Sequence, residues 1–250
     1  YLSEDYYIRK FKKAIGMTYE FNGTFDGYGY QIYNFKAENF SLFERIGESG
    51  VVKNLSINKL ETVKKKRKII GGIAVENLGM ITNCNVGLDG SVILNGETVG
   101  GIAVYNRGRI MYCMNNADIT AGKTGGGIAA EGTGDISFSG NTGSLNLTET
   151  GEYIGGIAGQ YDGVIEYSYN AGEIIAENGA IGGIAGYCRA SDIRNSYYRD
   201  DISNAIGEYE NPSGAVSVKL ENMQSQSFCD TLNAHGSAIW IWNEYKYNAL

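Results

Sequence analysis

Seven acidic side chains are the residues of this sequence best suited to act on a polysaccharide. Two carboxylates about 5 to about 9.5 Å apart hydrolyse glycosidic bonds, and carboxylates holding a cation beside a Lys or Arg base suit a polysaccharide lyase. These residues do not share one position of the repeat described below, so we predict no catalytic residue and no enzyme activity. A polysaccharide lyase or glycoside hydrolase is the alternative. The candidates are Asp118, Asp135, Asp162, Glu166, Glu173, Asp200 and Asp201.

The cysteines and the single histidine, His235, are the candidate metal ligands. The cysteines contain no Cys-x-x-Cys pair, which zinc sites ordinarily need. We therefore predict no metal site and no cofactor. The four cysteines are Cys84, Cys113, Cys188 and Cys229.

Cys84 and Cys113 occupy the same position of the repeat, in two successive copies. They could form a redox pair or ligate a metal, or they could be small side chains at an inward corner. A disulfide between neighbouring coils is geometrically feasible and not required. The later copies carry Ser139, Ser168 and Ser196 here, which favours the structural interpretation.

Aromatic residues also recur at fixed repeat positions. Tyr112, Phe138 and Tyr167 share one position, and Tyr169 and Tyr197 share another two residues later. Because alternate residues of a strand face the same side, the two sets could form one ladder. An outward ladder would stack on sugar rings or a partner protein, which makes Tyr112, Tyr167, Tyr169 and Tyr197 candidate binding residues. We favour an inward or half-buried ladder, because aromatic stacks commonly fill solenoid interiors.

A run of five basic residues interrupts an acidic chain. Without it the formal charge would be −12, against −7 for the whole chain. The run could anchor the protein to an anionic polymer or to lipid head groups. We favour a solvated loop tip, since like charges repel and stay exposed. The five candidate residues are Lys64, Lys65, Lys66, Arg67 and Lys68.

These candidates are positioned by a repeat of the block Gly-Gly-Ile-Ala. From one isoleucine to the next the spacings are 29, 26, 29 and 27 residues. A fixed period of this length is typical of a solenoid, in which each unit buries its apolar face against its neighbours. The blocks begin at Gly71, Gly100, Gly126, Gly155 and Gly182.

Each copy contains three short, β-branched segments separated by turns, too brief for helices. We therefore predict an all-β, right-handed, single-stranded parallel β-helix with three strands in each coil of about 28 residues. The glycine pairs would form corners that need either positive φ or close packing against the next coil. Residues 40–70 are a degenerate first copy, with Leu42 at the position of Ile73.

The repeat pattern predicts one continuous domain in three parts. Residues 1–39 are predicted to form N-terminal strands, and a helix over 3–16 is the alternative. Residues 40–200 are predicted to form the coils, and residues 201–250 an irregular segment and a cap. Residues 21–32 read as strand, turn, strand. A short helix between Leu220 and Asn233 would cover the open end of the solenoid, followed by a strand that contains Trp240 and Trp242.

The sequence resembles the GLUG-repeat proteins over nearly its whole length. The similarity rests on Phe-x-Gly-Thr-Phe-Asp-Gly-x-Gly at 21–29, on Phe40–Phe43 and Gly50–Leu55, and on the five Gly-Gly-Ile-Ala blocks. The tail, with Met223, Phe228 and the closing 247–250 segment, is also similar, and Phe11–Gly16 favours strands at the N-terminus. Isoleucine replaces the usual leucine, and Lys64–Lys68 has no counterpart in the family pattern.

The resemblance implies a right-handed parallel β-helix within a bacterial surface or secreted protein. Related repeats adjoin metallopeptidase domains in some surface proteases, but the chain has no His-Glu-x-x-His motif. We therefore predict a non-enzymatic, extracellular module that acts as an adhesin-like binding domain or a spacer. We expect a monomer whose partner is a glycan or a host or cell-surface protein. The negative charge and the lack of a long apolar run predict no nucleic-acid binding and no membrane insertion.

Overall fold

The structure is a computed structural model. It describes residues 4, 6–7, 13–33, 41–58, 67–88, 92–189, 192–208, 214–234, 240–241 and 248–249, with the backbone alone at 6–7, 67–68 and 248–249.

Thirty strands and two helices form in the described residues. The first strands are β1 (Tyr6–Tyr7), β2 (Thr24–Asp26), β3 (Gln31–Tyr33), β4 (Phe43–Ile46), β5 (Val51–Asn58), β6 (Arg67–Gly71), β7 (Ala74–Asn77), β8 (Met80–Val86), β9 (Ile93–Gly100), β10 (Ala103–Asn106), β11 (Arg109–Met111), β12 (Met114–Asn115), β13 (Asp118–Gly126), β14 (Ala129–Gly132) and β15 (Asp135–Ser137). The rest are β16 (Gly140–Asn141), β17 (Leu145–Leu147), β18 (Tyr153–Gly155), β19 (Ala158–Tyr161), β20 (Val164–Glu166), β21 (Tyr169–Asn170), β22 (Ile174–Ile175), β23 (Ala180–Gly182), β24 (Ala185–Tyr187), β25 (Asp192–Arg194), β26 (Ser196–Arg199), β27 (Ile206–Glu208), β28 (Ala215–Val218), α1 (Leu220–Met223), α2 (Gln226–Asn233), β29 (Trp240–Ile241) and β30 (Asn248–Ala249).

Three parallel sheets run along the solenoid, which confirms the predicted parallel β-helix. Sheet A holds β1–β3, β5, β8, β11, β12, β15, β16, β20, β21, β25, β26 and β28; sheet B holds β4, β7, β10, β14, β19, β24 and β27; sheet C holds β6, β9, β13, β17, β18, β22 and β23. The repeats align in register, since Ala103 pairs with Ala74 on one side and Ala129 on the other. A small antiparallel pair, β29 with β30, lies outside these sheets.

Segments beyond the regular repeats also join the solenoid. Strands β2 and β3 do not pair with each other as a hairpin; Thr24 pairs in parallel with Val51, and Gln31 with Ser56. The predicted strand, turn, strand is therefore part of a further coil. At the other end β27 and β28 extend sheets B and A, so 206–208 and 215–218 form strands within the segment predicted to be irregular.

The Gly-Gly-Ile-Ala blocks form the corner at which sheet C passes into sheet B. Their isoleucines are fully buried in the core. The glycines do not have positive φ; they are needed because neighbouring backbones approach them closely. A Cβ on Gly101 would overlap the carbonyl oxygen of Gly127 and lie 2.5 Å from Cγ of Asn115. Of the two predicted reasons for glycine, close packing is correct.

A second corner lies within sheet A, and its residues are not glycines. One residue in each coil has φ between +46° and +55°, a region that bulky side chains rarely enter. In four of these coils the residue separates two short strands, as between β11 and β12, whereas Asn54 and Asn83 lie within the continuous strands β5 and β8. The column consists of Asn54, Asn83, Tyr112, Phe138, Tyr167 and Asn195.

Hydroxyl groups support this left-handed corner from inside. The Cys113 amide donates to Oγ of Ser139 (3.2 Å), and the Ser139 amide donates to Oγ of Ser168 (3.2 Å). Each Oγ in turn donates to the carbonyl two residues earlier, as in Ser168 to Glu166 (2.9 Å). The serines thus satisfy buried amides that the corner turns away from the sheet ladder.

Cys84 and Cys113 perform the same structural task without a disulfide. Both are fully buried, and their thiols contact backbone carbonyl oxygens, at 3.2 Å in Cys113 to Met111. Burial and the neighbouring Cys84 raise the pKa of Cys113 well above its ordinary value, so the side chain stays a neutral thiol. The geometry supports the structural interpretation of this column.

We expect Ser168→Ala to lower the free energy of unfolding by about 1 to 3 kcal/mol, because the buried Ser139 amide loses its acceptor. Ser168→Cys is the matched control, since cysteine occupies this position in two earlier coils, and it should cost clearly less. Urea unfolding followed by circular dichroism measures both. Equal losses in the two variants would contradict the role assigned to the hydroxyl.

A buried asparagine ladder runs inside the solenoid near the start of sheet C. Nδ2 of Asn115 donates to Oδ1 of Asn141 (2.7 Å), and Nδ2 of Asn141 donates to Oδ1 of Asn170 (2.8 Å). Each amide also binds its own turn, as Asn141 does through the carbonyl of Gly143 (3.0 Å). The ladder therefore ties three coils together through groups that water does not reach.

The predicted helix exists but covers a side of the solenoid and not its open end. Helices α1 and α2 bring Met223, Phe228 and Leu232 onto the outer face of sheet A, where they form an apolar cluster with Met114 and Tyr169. A helix packs where its apolar stripe finds apolar partners, and this outer strip provides them. Trp240 joins the same cluster from β29, while Trp242 lies outside the described residues.

Candidate functional site

The predicted aromatic column forms a half-buried stack. The rings of Tyr112 and Phe138 lie 5.2 Å apart at 28°, and those of Phe138 and Tyr167 lie 4.8 Å apart at 14°. Asn83 and Asn195 occupy the flanking positions of the column. Because a sugar stacks on an open ring face, and these faces cover each other, the stack is better suited to supporting the left-handed corner than to holding a ligand.

Tyr169 and Tyr197 do not continue that stack, which corrects the predicted single ladder. The left-handed residue at 167 breaks the strand alternation on which the prediction depended. Tyr169 is fully buried and packs edge-on against Phe228 and Trp240. Tyr197 packs edge-on against Phe228 at 5.4 Å. Tyr169 cannot contact a ligand in this structure, and Tyr197 is occupied by the C-terminal helix.

The basic run is only partly described. Arg67 and Lys68 begin strand β6, so this part is strand and not the predicted loop tip. The backbone of Arg67 pairs with Gly96 in sheet C. Lys64, Lys65 and Lys66 lie outside the described residues.

Several of the acidic residues considered for catalysis have local partners. Asp135 pairs with Arg109 (3.7 Å), Asp162 accepts from the amide of Arg189 (2.8 Å), and Asp118 accepts from the amide of Ser144 (3.0 Å). Within the described ranges, no group of three His, Cys, Asp or Glu side chains is arranged to hold a metal ion.

A groove of about 840 Å³ lies on the outer face of sheet C. It crosses neighbouring coils, because Asn95 pairs with Thr120, Thr120 with Asn146, and Asn146 with Ile175. A register shift between Ala121 and Thr124 deforms β13 beside it. The lining is mostly amides, hydroxyls and carboxylates, with one lysine; its polar side chains include Asn95, Glu97, Lys123, Asn146, Thr148, Glu149, Glu152 and Glu177.

Beside the groove, the outer face of sheet B carries a column of polar and aromatic side chains. The column lies two residues after the alanine of each Gly-Gly-Ile-Ala block. At one end Glu76 forms ion pairs with Arg45 (2.7 Å) and Arg107. The registered members are Arg45, Glu76, Tyr105, Glu131, Gln160, Tyr187 and Glu208.

Lys123 and Glu152 line the groove on the side where it approaches this column. Nζ of Lys123 lies 3.7 Å from the Glu152 carboxylate. The next residue, Tyr153, packs against Tyr187 with ring centroids 5.2 Å apart and planes at 61°. The two surfaces are therefore contiguous through Tyr153, which follows Glu152 of the groove and contacts Tyr187 of the column.

Glu131 is a carboxyl group of this face whose environment disfavours the charged form. Partial burial and the charge of Glu152 raise its pKa, which Lys123 offsets only in part. The protonated form is thus favoured by folding. The destabilising effect of the charged carboxylate is absent below the ordinary pKa of 4.5 and grows as the pH rises from there through the higher folded-state pKa.

We expect Glu131→Gln to stabilise the protein at pH 7 by less than about 1 kcal/mol, since water still screens this partly exposed carboxylate. The gain should vanish at pH 4, where the native glutamic acid is already neutral. Thermal unfolding at both pH values measures it, with the exposed Glu149→Gln as control. A loss of stability at pH 7 would contradict the argument.

Neither the groove nor the sheet B column was predicted, although the sequence contained a signal for the column. The residues two positions after each block, at 76, 105, 131, 160 and 187, are Glu, Tyr, Glu, Gln and Tyr. The groove had no such signal, because its lining comes from residues at unequal positions around a register shift.

The fold defines the class of this protein as parallel β-solenoids, and two solved structures share it. One is a Bacteroides ovatus protein named provisionally as an immunoglobulin A1 protease, with a TM-score of 0.74 and 21% identity over 99% of this chain and 84% of that chain. The other is named IgA1 protease, with a TM-score of 0.63 and 23% identity over 75% of this chain. The match spans 16% of that second chain.

At these identities the similarity shows the fold alone. No protein-family model matches the chain, and no curated protein matches its sequence. Throughout the described part of the chain, no helix has the length and apolar character of a membrane span.

Proposed function

We propose that the chain is a non-enzymatic module of a larger exported bacterial protein, of the GLUG-repeat type, and that it binds a glycan in the groove on sheet C. The observation that carries the proposal is the lining of that groove. Amides and hydroxyls such as Asn95, Asn146 and Thr148 line it, and such groups match the many donors and acceptors of a sugar chain.

The length of the groove suits an extended ligand. Successive coils lie about 4.8 Å apart, so the column from Asn95 to Ile175 spans about 14 Å across three such intervals. Side chains of different coils would thus meet successive units of one polymer. A rigid solenoid supplies this spacing without an ordering cost for the protein.

The names of the two structural neighbours link this fold to proteins described as proteases. Proteolysis is not the function that we assign to this chain, because its sequence has one histidine, His235, and no His-Glu-x-x-His motif. A binding or spacing role within an exported protein agrees with the solenoid fold, because its registered coils hold the surface side chains at fixed spacings. We assign the module to the bacterial cell surface or the extracellular space.

A glycan array tests the proposal. We expect wild-type protein to retain a subset of glycans and Asn146→Ala to bind them at least tenfold more weakly. Thr133→Ala is the matched control, since Thr133 is exposed but lies away from sheet C, and it should leave binding unchanged. If wild-type protein retains no glycan, groove binding is refuted and only a spacer role remains. Release of reducing or unsaturated sugars from a polysaccharide would refute the non-enzymatic assignment.

A further inference from the structure

The dipeptide Asn-Gly occurs three times in the sequence, at 22–23, 95–96 and 178–179. Asparagine is chemically labile in proteins, because the backbone nitrogen of the next residue can attack its side-chain amide. Glycine as the next residue leaves that nitrogen open and the backbone free to rotate, since it carries no side chain. The three sites share these two residues, so the conformation of each site decides whether it reacts.

The first site, Asn22, is held by its side-chain contacts. Its Oδ1 accepts a hydrogen bond from Oγ of Ser49 (3.0 Å), and its Nδ2 donates to Oε1 of Glu20 (3.1 Å). A Cβ on Gly47 would overlap the same Oδ1, so the side chain is packed against the neighbouring coil. Attack by the Gly23 nitrogen therefore competes with these contacts.

The second site, Asn95, is held by its backbone. Asn95 and Gly96 lie within β9, which has β6 on one side and β13 on the other; Gly96 pairs with Arg67 and Ala121, and Asn95 with Thr120. The ladder keeps this backbone extended. Ring closure needs a rotation that would first open the sheet locally, at a cost in free energy. The strand therefore protects Asn95, although its side chain is exposed.

The third site, Asn178, has neither kind of restraint. Asn178 and Gly179 lie in the exposed bend between β22 and β23 and belong to neither strand. Within the described ranges, neither the Asn178 side chain nor the Gly179 backbone N–H has a hydrogen-bond partner. Gly179 has a φ of +89°, and a Cβ there would lie 2.8 Å from Cδ2 of Leu147. The fold thus requires glycine directly after an unrestrained asparagine.

We infer that Asn178 is a site of spontaneous deamidation in the folded protein. The Gly179 nitrogen loses its proton to water and attacks Cγ of Asn178. The N–Cγ bond forms, the Cγ–Nδ2 bond breaks, and Nδ2 leaves as ammonia with a proton taken from water. Water then opens the resulting succinimide ring at either carbonyl and gives aspartate or isoaspartate. The reaction consumes water alone and does not depend on the proposed glycan binding.

The product places a new negative charge beside the groove on sheet C. The preceding residue, Glu177, lines that groove together with Ile175 and Ala176. Isoaspartate also lengthens the main chain between β22 and β23 by a methylene group, which an exposed loop tolerates. We therefore expect a change of charge at this surface without a loss of the fold.

Peptide mapping by mass spectrometry tests the inference on the folded protein, incubated at 37 °C in mildly alkaline buffer. We expect Asn178 to deamidate at least tenfold faster than Asn22 or Asn95. In urea concentrated enough to unfold the chain, the three rates should converge to within threefold, because the fold no longer distinguishes the sites. Asn178→Gln should remove the acidic species that isoelectric focusing detects in the aged protein. Asn95→Gln is the matched control and should leave that species in place.

The remaining results overturn the inference. Equal rates at the three sites of the folded protein, or a faster reaction at Asn22 or Asn95, would show that the bend does not expose Asn178 to attack. If Asn178 keeps the same lead in urea, the flanking residues and not the fold select it. A loss of the circular dichroism signal in step with deamidation would contradict the tolerance of the loop.

Discussion

Gly101→Ala should prevent the chain from folding stably, with an expected loss above about 3 kcal/mol. The added methyl group would overlap the backbone carbonyl of Gly127 in the next coil and crowd the Asn115 side chain. Neither group can move freely, because Gly127 lies in the next corner and Asn115 in the buried ladder. Soluble yield and urea unfolding followed by circular dichroism measure the effect.

Gly122→Ala is the matched control for that experiment. Gly122 lies in sheet C, where an added Cβ would be 3.4 Å from its nearest neighbour, the Cα of Glu97, which is ordinary contact. We expect this variant to unfold within about 0.5 kcal/mol of wild type or to be slightly stabilised. A Gly101→Ala protein as stable as the control would show that the corner can open, contrary to the packing described above.

Asn141→Ala should have the second largest effect, a loss of about 3 kcal/mol or more. The substitution removes the acceptor of Asn115 and the donor of both Asn170 and Gly143. Each buried polar group left without a partner costs about 1 to 3 kcal/mol, and the missing side chain leaves a cavity against Gly127. Equilibrium urea unfolding measures the loss.

Asn146→Ala provides the comparison within the same coil. Asn146 is exposed on sheet C, so its removal should change the free energy of unfolding by less than about 0.5 kcal/mol. The same variant serves as the binding-deficient protein in the glycan experiment. If Asn141→Ala were equally mild, water would have to replace the ladder, and the ladder would not tie the coils together.

The backbone conformation at the sheet A corner could not be predicted from the sequence. The shared repeat position of Tyr112, Phe138 and Tyr167 was readable, and the rings do stack. Their positive φ was not readable, because tyrosine and phenylalanine disfavour that region. Without it, strand alternation placed Tyr169 on the same ladder, whereas the structure buries it under α2.

The asparagine ladder, by contrast, had a signal that was not used. Asn115, Asn141 and Asn170 each lie two residues after the Cys/Ser position, at the repeat spacing. A polar residue recurring inside an otherwise apolar coil indicates a buried hydrogen-bond column, since isolated buried amides are costly. Local periodicity likewise predicted the helix within 220–233 but contained no information on which face of the solenoid it covers.

The Gly-Gly-Ile-Ala blocks and their spacing determined the parallel β-solenoid, because a repeat that cannot bury its own apolar face must stack. Only the tertiary structure showed why glycine is required at these positions: the carbonyl group of the next coil occupies the space that a side chain would fill. It also decided where a ligand could lie. The groove combines residues of several coils, which the parallel pairing of β9, β13, β17 and β22 brings together and which no single stretch of sequence encodes.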